Sequence, residues 1–574
     1  MANKLTAVTL LLGCAILAGC ESRTNVSATG NTPAQFTHVF LTINQIWFNT
    51  SATAVATDST WSKFTLTTPQ TIDLVNLNNG ALSAFASQLK LSAGTYSQVM
   101  LVLADSTAAL SASASSSGAA SNDEVDYLDS LDVTHTVPLA ILNAAQGISI
   151  STSLTVASAT TSSGFGAPTV STVSTTSTDT EIGSSSPTPT ATSSSPVVST
   201  TSAIIDFDAT RDLVPISLSG QPAFALNPHP QAYNVKYSGN IQGAVDLSAV
   251  ATLSPAGLPD VQVAAEALSS DGTRHVILKS TRVDSDGNFI LYPLSTASGA
   301  PGAYDLVIHG PSIDTVIIKS VPVTAGAPGT GTALLGTLTL TTAAPFLVNL
   351  SSTAPAAPVS SVVGFYQTLP LPSEVPYLVE WRAPDPISGV FASDQSLSGG
   401  SVQYGTYLAG GTIALTTANP SQGAATYGIA AINPAYGTAA LGSTVSAPAG
   451  ATTALFTLSA PAVPTGSTAD GIAGTVSIVS AGAYDNAELF LTYNGALIAN
   501  APLNAYLSGA QTTLNLPALA PGGGASARYA AGVYNAEIWA WNSSNPTGTL
   551  TRSPVATPID LSAGNATGVA LNIP

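Results

Sequence analysis

The chain has 574 residues, of which only 8% are charged, against roughly 25% in an average globular protein. Its formal net charge is −18 and its 13 Lys and Arg residues are scattered, which disfavours nucleic acid and an anionic lipid surface as partners, because binding to phosphates needs clustered basic side chains. Both cysteines precede residue 21, which excludes thiol chemistry and Cys-based zinc sites from the rest of the chain.

The first 19 residues have the layout of a secretory signal peptide. Lys4 supplies the basic start, an apolar stretch runs from Leu5 to Leu17, and small residues follow. The apolar stretch is too short to span a bilayer as a permanent helix. We therefore predict that residues 1–19 are a signal peptide and that the mature protein is exported.

Cys20 decides how the mature protein is held. The run Leu17-Ala18-Gly19-Cys20 resembles a bacterial lipobox, and this resemblance implies that Cys20 becomes the acylated first residue. The alternative is an ordinary secretory signal that leaves Cys20 as a free thiol. Glu21 and Ser22 follow where an aspartate would favour the inner membrane in similar lipoproteins. We expect a lipid-anchored protein of the cell envelope, at the outer membrane, either periplasmic or exposed at the surface.

Beyond the signal, strand patterns are strong and helical patterns are weak. Apolar or β-branched runs recur between clusters of Gly, Pro, Asn and Asp. The one convincing helical pattern lies between Gly80 and Lys90, where Leu82, Phe85 and Leu89 share a helical face. The sequence predicts an all-β chain of tandem antiparallel β-sandwich domains, transthyretin-like or Ig-like, with a short helix in the N-terminal domain.

A repeated phrase, a small residue followed by Gly-x-Tyr, indicates internal repetition. It precedes an apolar strand each time, and the tyrosine hydroxyl is expected to reach backbone as in a tyrosine corner. The three tyrosines concerned are Tyr96, Tyr304 and Tyr534. Together with recurring strand-like domain ends, the pattern predicts a linker at 20–35, an N-terminal lipoprotein domain at 36–235, and three sandwiches at 236–342, 343–460 and 466–574.

The stretch 157–202 is nearly all Ser, Thr, Pro and Ala. It offers too little apolar surface to offset the entropy of ordering it, which predicts a disordered insertion within the N-terminal domain. O-glycosylation is the alternative that its mucin-like composition leaves open.

Two family resemblances add to this prediction. The region from Thr37 to about Tyr233 resembles the bacterial lipoprotein family of domain of unknown function 4382, with its order and spacing kept except for the insertion. The pieces that carry it are 39–48, 71–77, 91–99, and 204–209 with 223–228. The resemblance implies an envelope lipoprotein domain with no catalytic residues.

The segment from Ser238 to about Thr341 resembles the carboxypeptidase regulatory-like module, a small transthyretin-like sandwich. The carriers are 239–245, 261–263, 284–289 and 301–304. This fold is grouped with carbohydrate-binding sandwiches, an analogy that does not by itself establish sugar binding.

Carboxylates supply the first candidate sites. Asp123, Glu124 and Asp126 crowd one short acidic segment that continues to residue 132, and calcium is the cation that would suit it. A solvated acidic loop is the alternative that we favour. Asp206 and Asp208 flank Phe207 on a predicted strand and point to one face, so they could form an acid/base pair. Because they match the family signature, we favour a structural role.

Trp539 and Trp541 supply the other candidate. Two apart on a strand, they share a face and could form an aromatic platform for a glycan or a protein edge. Burial in a sandwich core is the alternative, which the usual burial of Trp favours.

No nucleophile elbow, zinc-binding His motif or phosphate-binding glycine loop occurs in the sequence. We therefore predict no enzyme activity and no cofactor. The expected function is a surface binding or scaffolding module, with the membrane as partner through lipid on Cys20 and a glycan or envelope protein as a further partner. The alternatives are a structural stalk and an envelope hydrolase.

Overall fold

The computed structural model describes residues 22–33, 35–105, 108–128, 133–142, 147–157, 199–218, 221–250, 259–326, 332–353, 362–382, 395–408, 413–417, 426–433, 437–438, 443–446, 452–457, 472–480, 482–493, 496–509, 512–516, 532–544, 550–554, 558–562 and 566–574. The described elements are almost entirely strands, paired into several sheets. The predicted all-β class with sandwich domains is therefore confirmed. Cys20 and most of the Ser/Thr-rich insertion lie outside the described residues.

The N-terminal domain packs two sheets face to face. The elements are β1 (Ser22–Asn31), β2 (Phe36–Asn49), β3 (Ser62–Asp73), β4 (Ser83–Leu91), β5 (Gly94–Leu103), α1 (Ala112–Ser117), β6 (Glu124–Leu128), β7 (Thr134–Ile141), β8 (Ile148–Val156), β9 (Thr200–Asp208), α2 (Ala209–Asp212), β10 (Leu213–Leu218), β11 (Gln221–Leu226) and β12 (Gln231–Asn234). One sheet has the strand order β12-β9-β1-β4, and the other has the order β10-β11-β7-β6-β2-β5-β8 with β3 paired to β2. Their inner faces enclose one apolar core that includes Phe48, Tyr96 and Phe207.

The predicted linker at 20–35 is wrong for most of its length. Ser22–Asn31 form β1, which pairs in parallel with β9 and antiparallel with β4. Val26 and Ala28 are fully buried, and so are the polar residues Ser22 and Thr24. Strand β1 has a hydrogen-bonded neighbour on each side, so its backbone N–H and C=O groups are paired whatever its side chains are. It can therefore be buried without an apolar run in its sequence.

The predicted helix between Gly80 and Lys90 is also wrong, because this segment is strand β4. The register with β1 is irregular on both sides of Val26, and Gln88 adopts a positive φ of 56°. Such a bulge adds a residue and breaks the two-residue alternation. The bulge accounts for the spacing of Phe85 and Leu89, whereas Leu82 precedes the strand and is 46% exposed, so the three residues do not share a buried face. The short helices of this domain lie elsewhere, as α1 and α2.

Three further pairs of sheets follow, which we name the first, middle and last modules. The first contains β13 (Ser238–Val245), β14 (Gln262–Leu268), β15 (His275–Arg282), β16 (Asn288–Ser295), β17 (Ala303–His309), β18 (Val316–Pro322) and β19 (Thr332–Leu338). The middle contains β20 (Pro345–Thr353), β21 (Val362–Gln367), β22 (Tyr377–Arg382), β23 (Gln395–Ser398), β24 (Gln403–Thr406), β25 (Thr416–Thr417), β26 (Thr426–Asn433), β27 (Gly437–Thr438), β28 (Ser443–Ser446) and β29 (Thr452–Thr457). The last contains β30 (Ile472–Ile478), β31 (Asn486–Tyr493), β32 (Ala496–Pro502), β33 (Thr513–Leu516), β34 (Val533–Trp541), β35 (Thr551–Pro554), β36 (Ile559–Asp560) and β37 (Ala566–Ile573).

The three modules share one topology. In each, the opening strand is central in a three-stranded sheet, with an antiparallel neighbour and the closing strand parallel to it: β16-β13-β19, β23-β20-β29 and β33-β30-β37. The second sheet of each module is antiparallel within the module and completes the sandwich. The recurring strand-like domain ends of the sequence therefore correspond to the closing strands β19, β29 and β37.

The tyrosines of the repeated phrase are buried. The Tyr96 hydroxyl donates to the carbonyl of Ser92 over 3.0 Å, and the Tyr304 hydroxyl donates to the carbonyl of Ser295 over 2.7 Å. Tyr534 is fully buried beside the ring of Tyr493. Gly532, two residues before Tyr534, cannot be replaced easily, because a Cβ at this position would lie 2.4 Å from the Tyr493 ring. Tight turns with a tyrosine anchor therefore begin these strands.

Among the described residues, no helix has the length and apolar character that a membrane crossing requires.

Candidate functional site

The first candidate pair, Asp206 and Asp208, lies where the N-terminal domain meets the first module. Both residues line one small crevice together with Arg211 and Lys279, which confirms that they share a face. Asp208 caps α2, accepting the backbone N–H of Thr210 over 3.2 Å. The crevice therefore lies at a joint between domains.

Asp206 is committed to a partner. Its carboxylate accepts a hydrogen bond from the Lys279 ammonium over 2.5 Å, and both side chains are more than nine-tenths buried. Burial raises the pKa of Asp206, and the ammonium offsets part of that rise. A general acid or base needs a free route to its substrate, whereas this carboxylate is held by a buried cation. The geometry agrees with the structural role favoured from the sequence.

Lys279 is a site residue that the sequence analysis missed. It follows Val276, Ile277 and Leu278 in strand β15, in a chain with few cations. A lysine within such an apolar run is a signal of a buried partner, because an isolated ammonium is too costly to bury.

Other polar contacts complete this joint. The Asn31 side-chain amide donates to the hydroxyl of Ser280 over 2.7 Å. The side-chain oxygen of Asn79 accepts the hydroxyl of Thr281 over 3.2 Å and the backbone N–H of Ile290 over 3.3 Å. The first module is thus attached to the N-terminal domain by specific buried and part-buried hydrogen bonds as well as by the Asp206–Lys279 ion pair.

The joint between the first and middle modules is built on a continuous sheet. Strand β24 of the middle module pairs in parallel with β18 of the first. The ring of His275 stacks on Tyr377 with centroids 3.8 Å apart, and the Tyr377 hydroxyl donates to Asp305 over 2.9 Å. Burial would raise the pKa of Asp305, but hydrogen bonds led by that from His275 lower it overall. This joint therefore combines backbone pairing with a buried charged cluster.

Trp539 and Trp541 do not form an exposed platform. They are only 3% and 9% exposed, and lie against apolar side chains of the N-terminal domain. We call this contact the docking face. It comprises Ala140, Val214, Ile216, Ala223 and Ala225 of the N-terminal domain with Phe490, Leu497, Trp539 and Trp541 of the last module.

Strand alternation explains why these tryptophans face outward from their own module. Ala540, which lies between them, and Ile538, which precedes Trp539, belong to the core of the last module. Trp539 and Trp541 project from the opposite face of β34, as the two-residue period requires. An outward apolar face must find cover, and the outer faces of β10 and β11 supply it.

Arg552 fixes the polar side of the docking face. Its guanidinium lies 4.3 Å from the ring centroid of Trp539, donates to the carbonyl of Ile141 over 3.0 Å and pairs with Asp105 over 3.2 Å. The backbone N–H of Leu497 donates to the side-chain oxygen of Asn227 over 3.1 Å. Sequence reasoning did not identify Arg552, because its partner Ile141 lies 411 residues earlier in the chain and leaves no local signal.

The calcium candidates are not brought together. Asp123 is fully buried and accepts the backbone N–H of Thr42 over 2.9 Å, whereas Glu124 accepts the backbone N–H groups of Ala120 and Ser121. Asp126 pairs across the ladder with His38. Among the described residues there is no group of three or more acidic, His or Cys side chains placed to hold a metal. Residues 129–132 of the acidic segment lie outside the description.

Residues 22–228 match the family described as a domain of unknown function (DUF4382), which is less than half of the chain. No curated protein matches the sequence. Among solved structures, the chain is similar to the Bacillus anthracis TIE protein at 9% identity and a TM-score of 0.13, covering 97% of this chain and 73% of that one.

Two pilins are also similar. A streptococcal ancillary pilin has 10% identity and a TM-score of 0.12, covering 59% of this chain and 99% of its own. The full-length major pilin SpaD from Corynebacterium diphtheriae has 8% identity and a TM-score of 0.11, and the match covers 59% of this chain and 98% of SpaD. At these values the likenesses carry no argument about function.

Proposed function

We propose that the protein is a non-catalytic, lipid-anchored scaffold of the cell envelope. Acyl chains on Cys20 hold the N-terminal domain at the outer membrane, and that domain is the base against which the first and last modules pack. The match of residues 22–228 to the DUF4382 family supports a dedicated N-terminal domain. The membrane is the partner that this function requires.

The observation that carries the proposal is the burial of Trp539 and Trp541 in the docking face. A stalk of independent spacers leaves the outer faces of its modules in solvent, whereas these rings are covered by a domain more than 300 residues earlier in the chain. Burying apolar area of this kind stabilises a contact by about 25 cal/mol per Å². The contact therefore favours a folded-back scaffold over a stalk.

The same burial removes the support for a glycan partner, because the paired rings on which that hypothesis depended are occupied. The hydrolase alternative depended on Asp206, Asp208 and the acidic segment. Asp206 is held by Lys279, and Asp123 and Glu124 accept backbone N–H groups. The scaffold is therefore the function that we carry forward.

The test begins with fractionation of cells that express the wild type or the Cys20→Ser variant. We expect the wild type in the outer-membrane fraction, with acyl chains on its N-terminal peptide, and the variant in the soluble fraction. A wild type that is soluble would contradict the proposal. Protease treatment of intact and permeabilised cells carrying a C-terminal tag then decides between the surface and the periplasm.

A further inference from the structure

The contact between Lys279 and Asp206 sets a primary amine against a carboxyl group inside the protein. Nζ of Lys279 lies 2.5 Å from Oδ1 of Asp206, and the two side chains are only 3% and 8% exposed. A C=O bond is about 1.2 Å long, so the carboxyl carbon lies within about 3.7 Å of this nitrogen. Reacting atoms about 3–3.5 Å apart form a near-attack arrangement. A small movement of either side chain therefore brings the amine onto the carboxyl carbon.

Burial works against the charged form of this pair. It raises the pKa of Asp206, and the Lys279 ammonium offsets only part of that rise. Transfer of one proton from the ammonium to the carboxylate gives a neutral amine and a neutral acid, which removes the cost of keeping two charges out of water. These neutral forms are the ones that react with each other, because a protonated amine has no lone pair and a carboxylate resists attack by a nucleophile.

The crevice beside the pair supplies the groups that such a reaction needs. Asp208 and Arg211 line it together with Asp206 and Lys279. The carboxylate of Asp208 can take a proton from the attacking amine and return it to the leaving oxygen. The positive charge of Arg211 favours the negative oxygen that develops on the attacked carboxyl group. About 10 Å³ of the crevice is free, which is about the room that one leaving water molecule needs.

The contact between Lys319 and Glu374 shows what this site has in addition. These side chains also form an ion pair, but they are 26% and 13% exposed. Water reaches the lysine and keeps its charge solvated, so an exposed pair of this kind has little reason to become neutral. The combination of a buried pair with a second carboxylate beside it therefore singles out Lys279 and Asp206.

We propose that Lys279 and Asp206 condense to an amide, an isopeptide bond that joins the first module covalently to the N-terminal domain. The lone pair of Nζ forms a bond to the carboxyl carbon while an electron pair of the C=O bond moves onto oxygen. The nitrogen then gives a proton to Asp208. As the C=O bond forms again it expels hydroxide, which takes that proton and leaves as water. One C–N bond replaces one C–O bond, and no oxidant, reductant or further reactant is consumed.

The bond would lock the joint between the N-terminal domain and the first module. Both cysteines precede residue 21, so no disulfide can serve this purpose at the joint. The ion pair described above is the state from which the bond forms. This inference goes beyond the proposed scaffold function, and it does not depend on the acylation of Cys20.

Peptide mapping of the full-length protein by tandem mass spectrometry tests the bond. We expect a peptide in which the segment around Asp206 is joined to the segment around Lys279, lighter by one water molecule than the two segments together. Lys279→Arg is the matched control, because a guanidinium keeps the positive charge but stays protonated and does not attack a carboxyl group. This variant should give no joined peptide, and thermal unfolding checks that it is folded. Only separate segments in the folded wild type would overturn the inference.

Asp208→Asn tests the route of the proton. General acid–base catalysis contributes about 100-fold or more, so this variant should form the joined peptide at least about 100-fold more slowly. Protein synthesised in a short pulse and denatured at intervals gives the rate. Equal rates in wild type and variant would contradict the role of Asp208. In the same digests Lys319 and Glu374 should stay unjoined, and a bond between them would contradict the argument that burial selects the site.

Discussion

The backbone N–H of Leu497 donates to the side-chain oxygen of Asn227 over 3.1 Å, across 270 residues of sequence. This bond joins the last module to the N-terminal domain at the edge of the docking face. It is buried, so its loss would leave a polar group without water to replace the partner. This bond makes the last module part of one assembly with the N-terminal domain.

Trp539→Ala should uncouple the last module from the N-terminal domain. Removing a buried indole costs about 3 kcal/mol, and at this position much of the loss falls on the docking face because the ring lies outside the module's own core. Scanning calorimetry should show a separate, earlier transition for the last module. The control is Val479→Ser at a side chain that is 73% exposed, which should leave the profile unchanged. A Trp539→Ala profile identical to that of the wild type would contradict the coupling.

The ion pair of Asp206 and Lys279 should behave as a buried pair in a double-mutant cycle. Either single variant, Asp206→Asn or Lys279→Met, leaves a charge or polar group without its partner and should destabilise the joint by about 3 kcal/mol. The double variant should lose less than the sum of the two, since no uncompensated charge remains. Denaturant unfolding of the four proteins measures this coupling. Strict additivity would show that the two residues do not stabilise the joint together.

Glu266→Gln should change the dependence of stability on pH. Burial raises the pKa of Glu266 well above its ordinary value of 4.5, with the N–H of Leu378 offsetting part of that rise. A carboxyl group with a raised pKa binds its proton more tightly in the folded protein, so the wild type should lose stability as pH rises above 4.5. The neutral amide should remove the share of this slope that Glu266 contributes and leave the shares of other buried carboxyl groups, such as Asp206. Melting temperatures of both proteins between pH 4.5 and pH 7.5 would check it.

A second acidic residue gives the matched control for that slope. Hydrogen bonds, led by that from Ser269, lower the pKa of Asp271 to about 2. The stabilising effect of this exposed carboxylate is present above its unfolded pKa and is lost only as pH falls through the folded pKa. Asp271→Asn should therefore leave the slope above pH 4.5 as it is in the wild type. A slope unchanged in Glu266→Gln would show that Glu266 does not cause it.

Tyr304→Phe should destabilise the first module by about 1 kcal/mol, the net value of a typical intramolecular hydrogen bond. The hydroxyl donates to the carbonyl of Ser295 over 2.7 Å, and burial raises the pKa of Tyr304 to about 12. Denaturant unfolding of this variant gives the cost. Tyr237→Phe, at a side chain that is 40% exposed, is the control and should be neutral. Equal stabilities for the two variants would contradict the anchoring role.

Residue patterns predicted the class of fold well where they were strong. The alternating runs and the repeated Gly-x-Tyr phrase correspond to strands, and the hydroxyls of Tyr96 and Tyr304 donate to backbone carbonyls as predicted. The errors fall at β1 and β4, which pair with each other. Strand β1 is buried by its central position rather than by apolar residues, and β4 contains a bulge at Gln88. Neither cause is visible in the local sequence.

The candidate site was only partly predictable, for a related reason. The sequence placed Asp206 and Asp208 on one face and Trp539 and Trp541 on another, and the structure agrees in both cases. What covers those faces depends on contacts between distant segments. Lys279, Arg552 and Asn227 therefore became site residues only through the packing of domains.

The central claim, that the last module folds back onto the N-terminal domain, is tested most directly by small-angle X-ray scattering of the full chain. The wild type is compared with Ala225→Glu, which buries a carboxylate among the apolar side chains of the docking face. We expect a shorter maximum dimension for the wild type and a clear increase in the variant. A wild type already as extended as Ala225→Glu would contradict it.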